Sequence, residues 1–538
     1  MKPRLLQDWI AAQADTRPSA TAIVAAGTRL SYGELEQESN RLARLLRAAG
    51  CRPGERVALL APISPIAIVG QLGIYKAAAT YVPLDPENPV SRLNTMIDSC
   101  GSRWLITAGV PVSLLDRLLE TRAGGRELVI ASLDRRPLHR GRHQAIFNID
   151  DLAAYSAEPV DSVNGPDDPA NILFTSGAAG TPKGVVITHA NVIPFIEWAT
   201  AYFGMVATDR VSAHSPLHFH LSSFDLFGAA AVGAEIHLVP PELATQPERL
   251  AQFIRASQLT QWFSVPSVLD RMAKADAVAL NDFPSLKRVI WGGEVLPTPA
   301  LIYWMQRLPH ASFTNLYGPT ETTIASSYYT VPECPVDPRA AIPIGTACTG
   351  EELLVLDDHL MAPPAGGTGD LYIAGAGLAR GYWADPERTA AAFPHHPHRP
   401  SEWIYKTGDL ARVGDDGQIY FLGRADEDVS IGGSRIETGA IEAAVNAVPD
   451  VIGNAVMTLA HAGPGAATIC CAYVPAAGCH ATPAVLSAAL GRLIPDWLIP
   501  TRWLCLDGFP INANGKVDRH RLKEAFATRT DPHAAHTS

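Results

Sequence analysis

Short apolar runs recur along the first half of the chain with helical stretches between them, and this alternation most restricts the folds open to it. RVALLA at 56–61, RWLITA at 103–108, ELVIA at 127–131, NILFT at 171–175 and AEIHLVP at 234–240 each have the length of a strand. Among the stretches between and before them is YGELEQESNRLARLLRAAG at 32–50. It places Leu35, Ser39, Leu42, Leu45 and Leu46 on one helical stripe and stops at Gly50. Strand-length runs alternating with amphipathic helices indicate β-α units around mostly parallel sheets, an α/β fold.

The pattern changes near 368–424, where GDLYIAG, WIYKTGDL and IYFLGRAD read as short strands of a small β-barrel-like block. After Asp426 the chain restarts as a strand–helix module: ETGAIEAAVNAV is helical and TICCAYV is a strand. The last residues, FATRTDPHAAHTS at 526–538, are polar and expected to fray. The organisation read from this is a large N-terminal part of αβ layers plus the β-rich block over 1–424. A small mobile α+β lid over 425–525 and a disordered tail over 526–538 follow. Single cores stop growing at roughly 250–300 residues, so a chain of 538 needs at least two units.

The formal net charge is −11, and no basic run offers phosphates of a nucleic acid a landing strip. Eight cysteines, at 51, 100, 334, 348, 470, 471, 479 and 505, form no Cys-x-x-Cys pair. They read as thiols in a reducing compartment. The N-terminus MKPRLLQDWIAAQADTRP carries Asp8 and Asp15 and lacks the continuous apolar core of a signal peptide. No stretch approaches the ~20 apolar residues of a membrane span. A cytoplasmic protein, with no membrane and no nucleic-acid partner, is expected.

Five motifs carry chemistry. Leu173 to Gly184, LFTSGAAGTPKG, ends a strand in hydroxyls and glycines followed by Lys183. Backbone N–H groups and hydroxyls presented this way suit phosphate, though the spacing is not that of a P-loop. Asn315 to Thr323, NLYGPTETT, sets an aromatic beside a tight turn. Tyr317 can stack on a purine, Thr320 can reach a phosphate oxygen, and Glu321 can help hold Mg²⁺, a hard cation that prefers oxygen. YKTGDL at 405–410 offers Asp409 to two ribose hydroxyls, and GRAD at 423–426 and NANGKVDR at 512–519 complete the set. Each motif alone is also compatible with a structural turn.

In this order and spacing the five motifs resemble the adenylate-forming superfamily of nonribosomal peptide synthetase adenylation domains, acyl-CoA synthetases and firefly luciferase. LSYGELEQESNRLARLL at 30–46, YKAAATYVPLDPENP at 75–89 and GDLYIAGAGLARGYWADPERTAAAF at 369–393 are similar to further blocks of the synthetase branch. The resemblance implies that ATP and Mg²⁺ are used and that a phosphopantetheine thiol accepts the acyl group. It implies a phosphate loop containing Thr175, Ser176, Gly177, Gly180, Thr181 and Lys183. Tyr317 would lie near adenine, Thr320 on phosphate, Glu321 on the metal, Asp409 on the ribose and Arg424 on the nucleotide. Asp426 would be the hinge, and Lys516 would bridge the substrate carboxylate and the nucleotide before the lid swings away.

Three departures qualify this. The loop usually carries further hydroxyls where this chain has Ala178 and Ala179, and each missing hydroxyl removes a hydrogen bond of about 1–3 kcal/mol to a charged acceptor. Ser430 and Gly432 replace the usual lysine and arginine beyond the hinge, while Arg435 and Glu437 are kept. In PLHFHLSSFD, at 216–225, His220 occupies the place where amino-acid-activating relatives carry an Asp that pairs with the α-ammonium. On a helix, 220, 221 and 224 share a face and Asp225 points about 140° away, so Asp225 is a poor substitute. The remaining pocket positions, Leu221, Phe224, Phe263, Ile290, Gly292, Leu316, Ile324 and Ala325, are apolar or small, and Gly292 is expected to leave room for a chain or ring.

The function expected is a stand-alone enzyme that adenylates an apolar carboxylic acid lacking a conventionally bound α-amine, then loads a separate carrier protein. The alternatives are an acyl- or aryl-CoA ligase and an α-amino-acid adenylation enzyme with an atypical pocket. A non-catalytic binding protein, suggested by Ala178 and Ala179, is opposed by the survival of Lys183, Glu321, Asp409 and Lys516.

Overall fold

A computed structural model of the chain describes residues 5–122, 128–134, 147–175, 182–364, 366–424, 430–431, 434–435, 438–460, 467–476, 478–479, 481–494, 498–512 and 516–528. The helix expected from the stripe at 32–50 runs Tyr32–Ala48. Ser31 caps it by accepting from the Glu34 N–H, and the Glu34 carboxylate returns a bond to the Ser31 N–H. Its buried stripe includes Leu35, Ser39, Leu42, Leu45 and Leu46. It packs on the helix Pro65–Lys76, which is buried from Ala67 to Lys76 on every side and is therefore sandwiched. The two helices approach closely because Gly73 has no side chain: a Cβ there would sit 2.6 Å from Leu42. At the end of the second helix buried Lys76 bonds Glu36 at 2.6 Å and Asn40 at 2.8 Å.

The apolar runs sort into two sheets. One has six strands in the order Val129–Ser132, Trp104–Thr107, Arg56–Leu60, Thr80–Leu84, Pro169–Thr175, Lys183–Thr188, parallel except for the last. The other has nine, and its centre is parallel: Glu235–Leu238, Arg210–Ala213, Gln261–Ser264, Arg288–Gly292 and Ser312–Tyr317. One apolar cluster draws on both sheets and on the helices between them, so this part of the chain is built in layers. The carboxyl ends of Gln261–Ser264, Arg288–Gly292 and Ser312–Tyr317 emerge side by side, the usual place for a ligand in parallel sheets.

The expected β-rich block is a four-stranded antiparallel sheet of Glu351–Leu356, Thr368–Gly375, Tyr405–Val413 and Ile419–Arg424. The module beyond has the expected helix, Thr438–Asn446, and the expected strand, Ala467–Pro475, in a sheet with Val451–Ala460 and Arg502–Cys505. One correction falls here. The last helix, Arg519–Thr528, includes residues assigned to the tail, and Phe526 is buried with Leu522 against Met457 and Leu504. The polar composition around Phe526 hid an aromatic anchor at helical spacing from Leu522. Among the described residues no helix is long and apolar enough to cross a membrane.

Candidate active site

The strand Pro169–Thr175 delivers Thr175 opposite Lys183 on its antiparallel return. The Thr175 hydroxyl oxygen is buried and makes no hydrogen bond, an unsatisfied group that a ligand oxygen would satisfy. Ser176, Gly177, Gly180 and Thr181, together with Ala178 and Ala179, lie outside the described residues. Lys183 Nζ lies 4.0 Å from Glu321 Oε1. Glu321 is buried in the short turn Thr320–Thr322 that follows the strand Ser312–Tyr317, and half-buried Thr320 opens that turn. The next two residues, Thr323 and Ile324, take positive φ of 56° and 64°. Such geometry is strained for a β-branched residue, and the Thr323 hydroxyl helps hold it by donating to the Gly377 carbonyl at 2.7 Å.

Asp409 is the centre of a second group. It faces Arg424 across the sheet, and Arg424 Nη1 donates to its Oδ1 at 2.9 Å and to the Thr407 carbonyl at 2.8 Å. The Tyr317 hydroxyl donates to Asp409 Oδ2. Burial and that carboxylate hold the Tyr317 phenol far above its ordinary value, so it remains a donor. Gly408 has φ +72°, and a Cβ there would lie 2.9 Å from Arg424 Nη2, so a glycine is needed for the guanidinium to reach Asp409.

Lys516 reaches this edge from the small module. Its ammonium donates to the Gly293 carbonyl at 2.5 Å and stands 5.3 Å from the centre of the Phe219 ring. Burial lowers its pKa, opposed by Glu294 and Asp409. Gly293 follows the strand Arg288–Gly292 with φ +90°, and a Cβ on it would come within 3.1 Å of the lysine nitrogen. Asp426 lies outside the described residues.

His220 is buried next to Phe219, the two rings 4.8 Å apart. Burial, with a smaller push from Lys516, lowers its pKa to about 3, so it is neutral near pH 7. Its Nδ1 makes no hydrogen bond. The α-helical spacing expected through this stretch is corrected: 217–221 are turns, and Phe224–Gly228 is a π-helical turn. Asp225 is fully buried beside the His214 and Ser215 amides, and desolvation raises its carboxyl well above the usual range. His220 is uncharged near pH 7 and carries no carboxylate, and desolvation disfavours the charged form of Asp225, so this stretch is poorly suited to pair with an ammonium.

Leu221, Phe224, Phe263, Ile290, Leu316, Ile324 and Ala325 are all buried in the same apolar cluster, with Phe224 edge-on to Phe263 at 5.7 Å. Gly292 also has a packing role. A Cβ there would press within 2.9 Å of the Leu316 carbonyl on the next strand, so the glycine serves strand packing first. Three residues of this edge were not singled out in the sequence: Gly293, Tyr382 and Tyr405. The Tyr382 hydroxyl donates to Glu321 Oε1 at 2.8 Å, and buried Tyr405 lies near enough for Glu321 and Tyr382 to raise its phenol. The Gly-Gly pair at a strand end was a usable signal for Gly293.

Thr175, Lys183, Glu321, Asp409 and Lys516 together present cations and a hydroxyl for phosphates and carboxylates for a metal ion and a ribose. The residues present fit a magnesium nucleotide. The family description "AMP-binding enzyme" matches residues 10–383. The chain belongs to the AMP-binding enzyme family. As a member it is an adenylate-forming enzyme, and its relatives include nonribosomal peptide synthetases. It is 34% identical over 523 residues to bacitracin synthase 1 of Bacillus licheniformis, covering 97% of this chain and 9% of that protein. It is 35% identical over 535 residues to the dimodular nonribosomal peptide synthase of Bacillus subtilis strain 168, covering 99% of this chain and 21% of that one. The chain thus spans a small part of these relatives. Among solved structures of the same fold, that of IdnL7 superposes with a TM-score of 0.82 at 28% identity, covering 97% of this chain and 99% of that one.

Proposed function

We propose that this AMP-binding enzyme adenylates an apolar carboxylic acid without a conventionally bound α-amine and passes the acyl group to the phosphopantetheine thiol of a carrier protein. The observation that carries the substrate reading is a buried, uncharged imidazole at 220 in an otherwise apolar surround, with Asp225 fully buried where desolvation disfavours its charged form. An ammonium buried there would lack a counter-charge, a loss of several kcal/mol. The unpaired His220 Nδ1 suits an uncharged polar group or an oxygen of the acid instead.

In the first half-reaction a carboxylate oxygen of the acid bonds to the α-phosphorus of ATP, and the bond to the departing pyrophosphate breaks. Two anions meet in this step. Lys516 Nζ, held at the carboxyl ends of the strands, supplies positive charge where they approach. Lys183 and Thr175 hold phosphate, Asp409 the ribose with Arg424 beside it, and Tyr317 borders the base. Mg²⁺ bound at Glu321 would neutralise further phosphate charge. In the second half-reaction the thiol sulfur bonds to the acyl carbon, the thiol proton passes to solvent, and AMP leaves with the bonding electrons.

The test is acid-dependent ATP–pyrophosphate exchange over proteinogenic amino acids, their hydroxy and keto analogues, aryl acids and short fatty acids. Exchange confined to acids without an α-amine is the expected result, and robust exchange with leucine or valine but not their des-amino analogues would overturn it. A second reading, an acyl- or aryl-CoA ligase, is favoured by His220 next to Phe219, a pair similar to that of such ligases. Preference for CoA over every carrier protein offered would select it.

A further inference from the structure

Lys183 and Glu321 come from different layers, the first from the return strand Lys183–Thr188 and the second from the turn Thr320–Thr322. At 4.0 Å, with the carboxylate buried, their attraction is strong. Drawn into direct contact they would neutralise each other, and neither charge would be free for a ligand. The phenol of Tyr382 bridges them. Its hydroxyl donates to Glu321 Oε1 at 2.8 Å and accepts from Lys183 Nζ at 3.3 Å, and its ring centre lies 4.6 Å from the same ammonium.

The phenol is also unable to follow either charge. Its backbone is stitched to the strand that carries Lys183: Val186 N–H donates to Gly381 O, Arg380 N–H to Val186 O and Trp383 N–H to Gly184 O. The Tyr382 N–H donates to the Thr389 hydroxyl at 2.9 Å, and the ring meets Phe393 edge-on at 5.9 Å. A phenol is protonated near neutral pH by its ordinary acidity, so it can bond both groups without adding a charge.

We propose that Tyr382 is a positioning residue, a neutral spacer that keeps Lys183 and Glu321 apart so that one remains available to nucleotide phosphate and the other to a divalent cation. The spacer rests on those two residues having the roles proposed above. It makes no demand on the identity of the acid.

The experiment is binding of Mn²⁺ with α,β-methylene-ATP to the full chain, the nucleotide followed by calorimetry and the metal by electron paramagnetic resonance. Tyr382→Phe keeps the ring and removes the hydroxyl that bonds both charges. It is expected to weaken both affinities about tenfold, with the acid KM and the thermal midpoint unchanged. In a Glu321→Gln background no ion pair is left to collapse, so adding Tyr382→Phe should cost less than about twofold more. Affinities within twofold of the parent in Tyr382→Phe would overturn the spacer, as would an undiminished loss in the Gln background, which marks direct contact with the ligand. If Glu321→Gln and Lys183→Ala themselves leave both affinities unchanged, the roles of those residues fall, and the spacer with them.

Discussion

The proposed nucleotide edge and the proposed acid-binding surround lie at neighbouring strand ends, yet they are built by opposite chemistry. The first is a web of charges and hydroxyls, Lys183 and Glu321 each with Tyr382, Asp409 with Arg424 and Tyr317, in which each named bond is directional. The second is a surround of Leu221, Phe224, Phe263, Ile290, Leu316, Ile324 and Ala325 with one unpaired imidazole in it. Directional polar groups restrict what can replace them, so they form motifs. Apolar packing is satisfied by many side chains of similar volume, so such a surround leaves no short motif. Lys516 meets both regions, donating to Gly293 beside Phe219 and His220 while feeling the field of Asp409.

Lys516→Ala gives the largest expected separation of the two regions. ATP–pyrophosphate exchange should fall on the order of 10²–10³-fold, because charge is lost where two anions meet. Thioester formation from a supplied acyl-adenylate should change far less, and an equal loss in both steps would join what the comparison separates. His220→Asp probes the pocket alone. It should lower exchange with the preferred acid about 10–100-fold and raise exchange with the matching α-amino acid, leaving the KM for ATP within about twofold. A variant that alters the ATP KM as much as the acid KM would show that the pocket and nucleotide edge are not independent.

The third effect is on stability against pH. Burial lowers His189 from 6.5 to about 4 and His220 from 6.5 to about 3. Below the unfolded value the unfolded chain takes up protons that the native one refuses, so native stability falls as pH falls from about 6.5 toward 4. Each histidine contributes up to roughly 1.4 kcal/mol per pH unit in that window. Urea midpoints measured from pH 7.5 to 4.5 should show this slope, and His220→Asn should flatten it. An unchanged slope in that variant would place His220 in contact with solvent.

Much of the fold was legible from periodicity. The stripe at 32–50 became the helix Tyr32–Ala48, and the apolar runs became strands of two sheets. The proposed polar site was legible where a motif places several donors or acceptors within a few residues, as at Thr320–Glu321 and Asp409. Partners brought together from distant segments were not legible. Tyr382 lies 61 residues from Glu321 and 199 from Lys183, and no local pattern says that one phenol serves both. The 3.6-residue spacing assumed near His220 failed because a π-helical turn replaces it, a change of hydrogen-bond pitch that side-chain types alone do not announce.

By itself, the sequence determined the layered α/β framework, the family and the inventory of charged groups at the nucleotide edge. These follow from local periodicity and from short runs of directional groups. Only the tertiary structure decided that Gly292 packs against the next strand, that Asp225 is fully buried where desolvation disfavours its charge and that Gly293 and Phe219 receive Lys516. Each of those facts depends on what a distant segment places against a residue, and burial and proximity exist only once the chain has closed on itself.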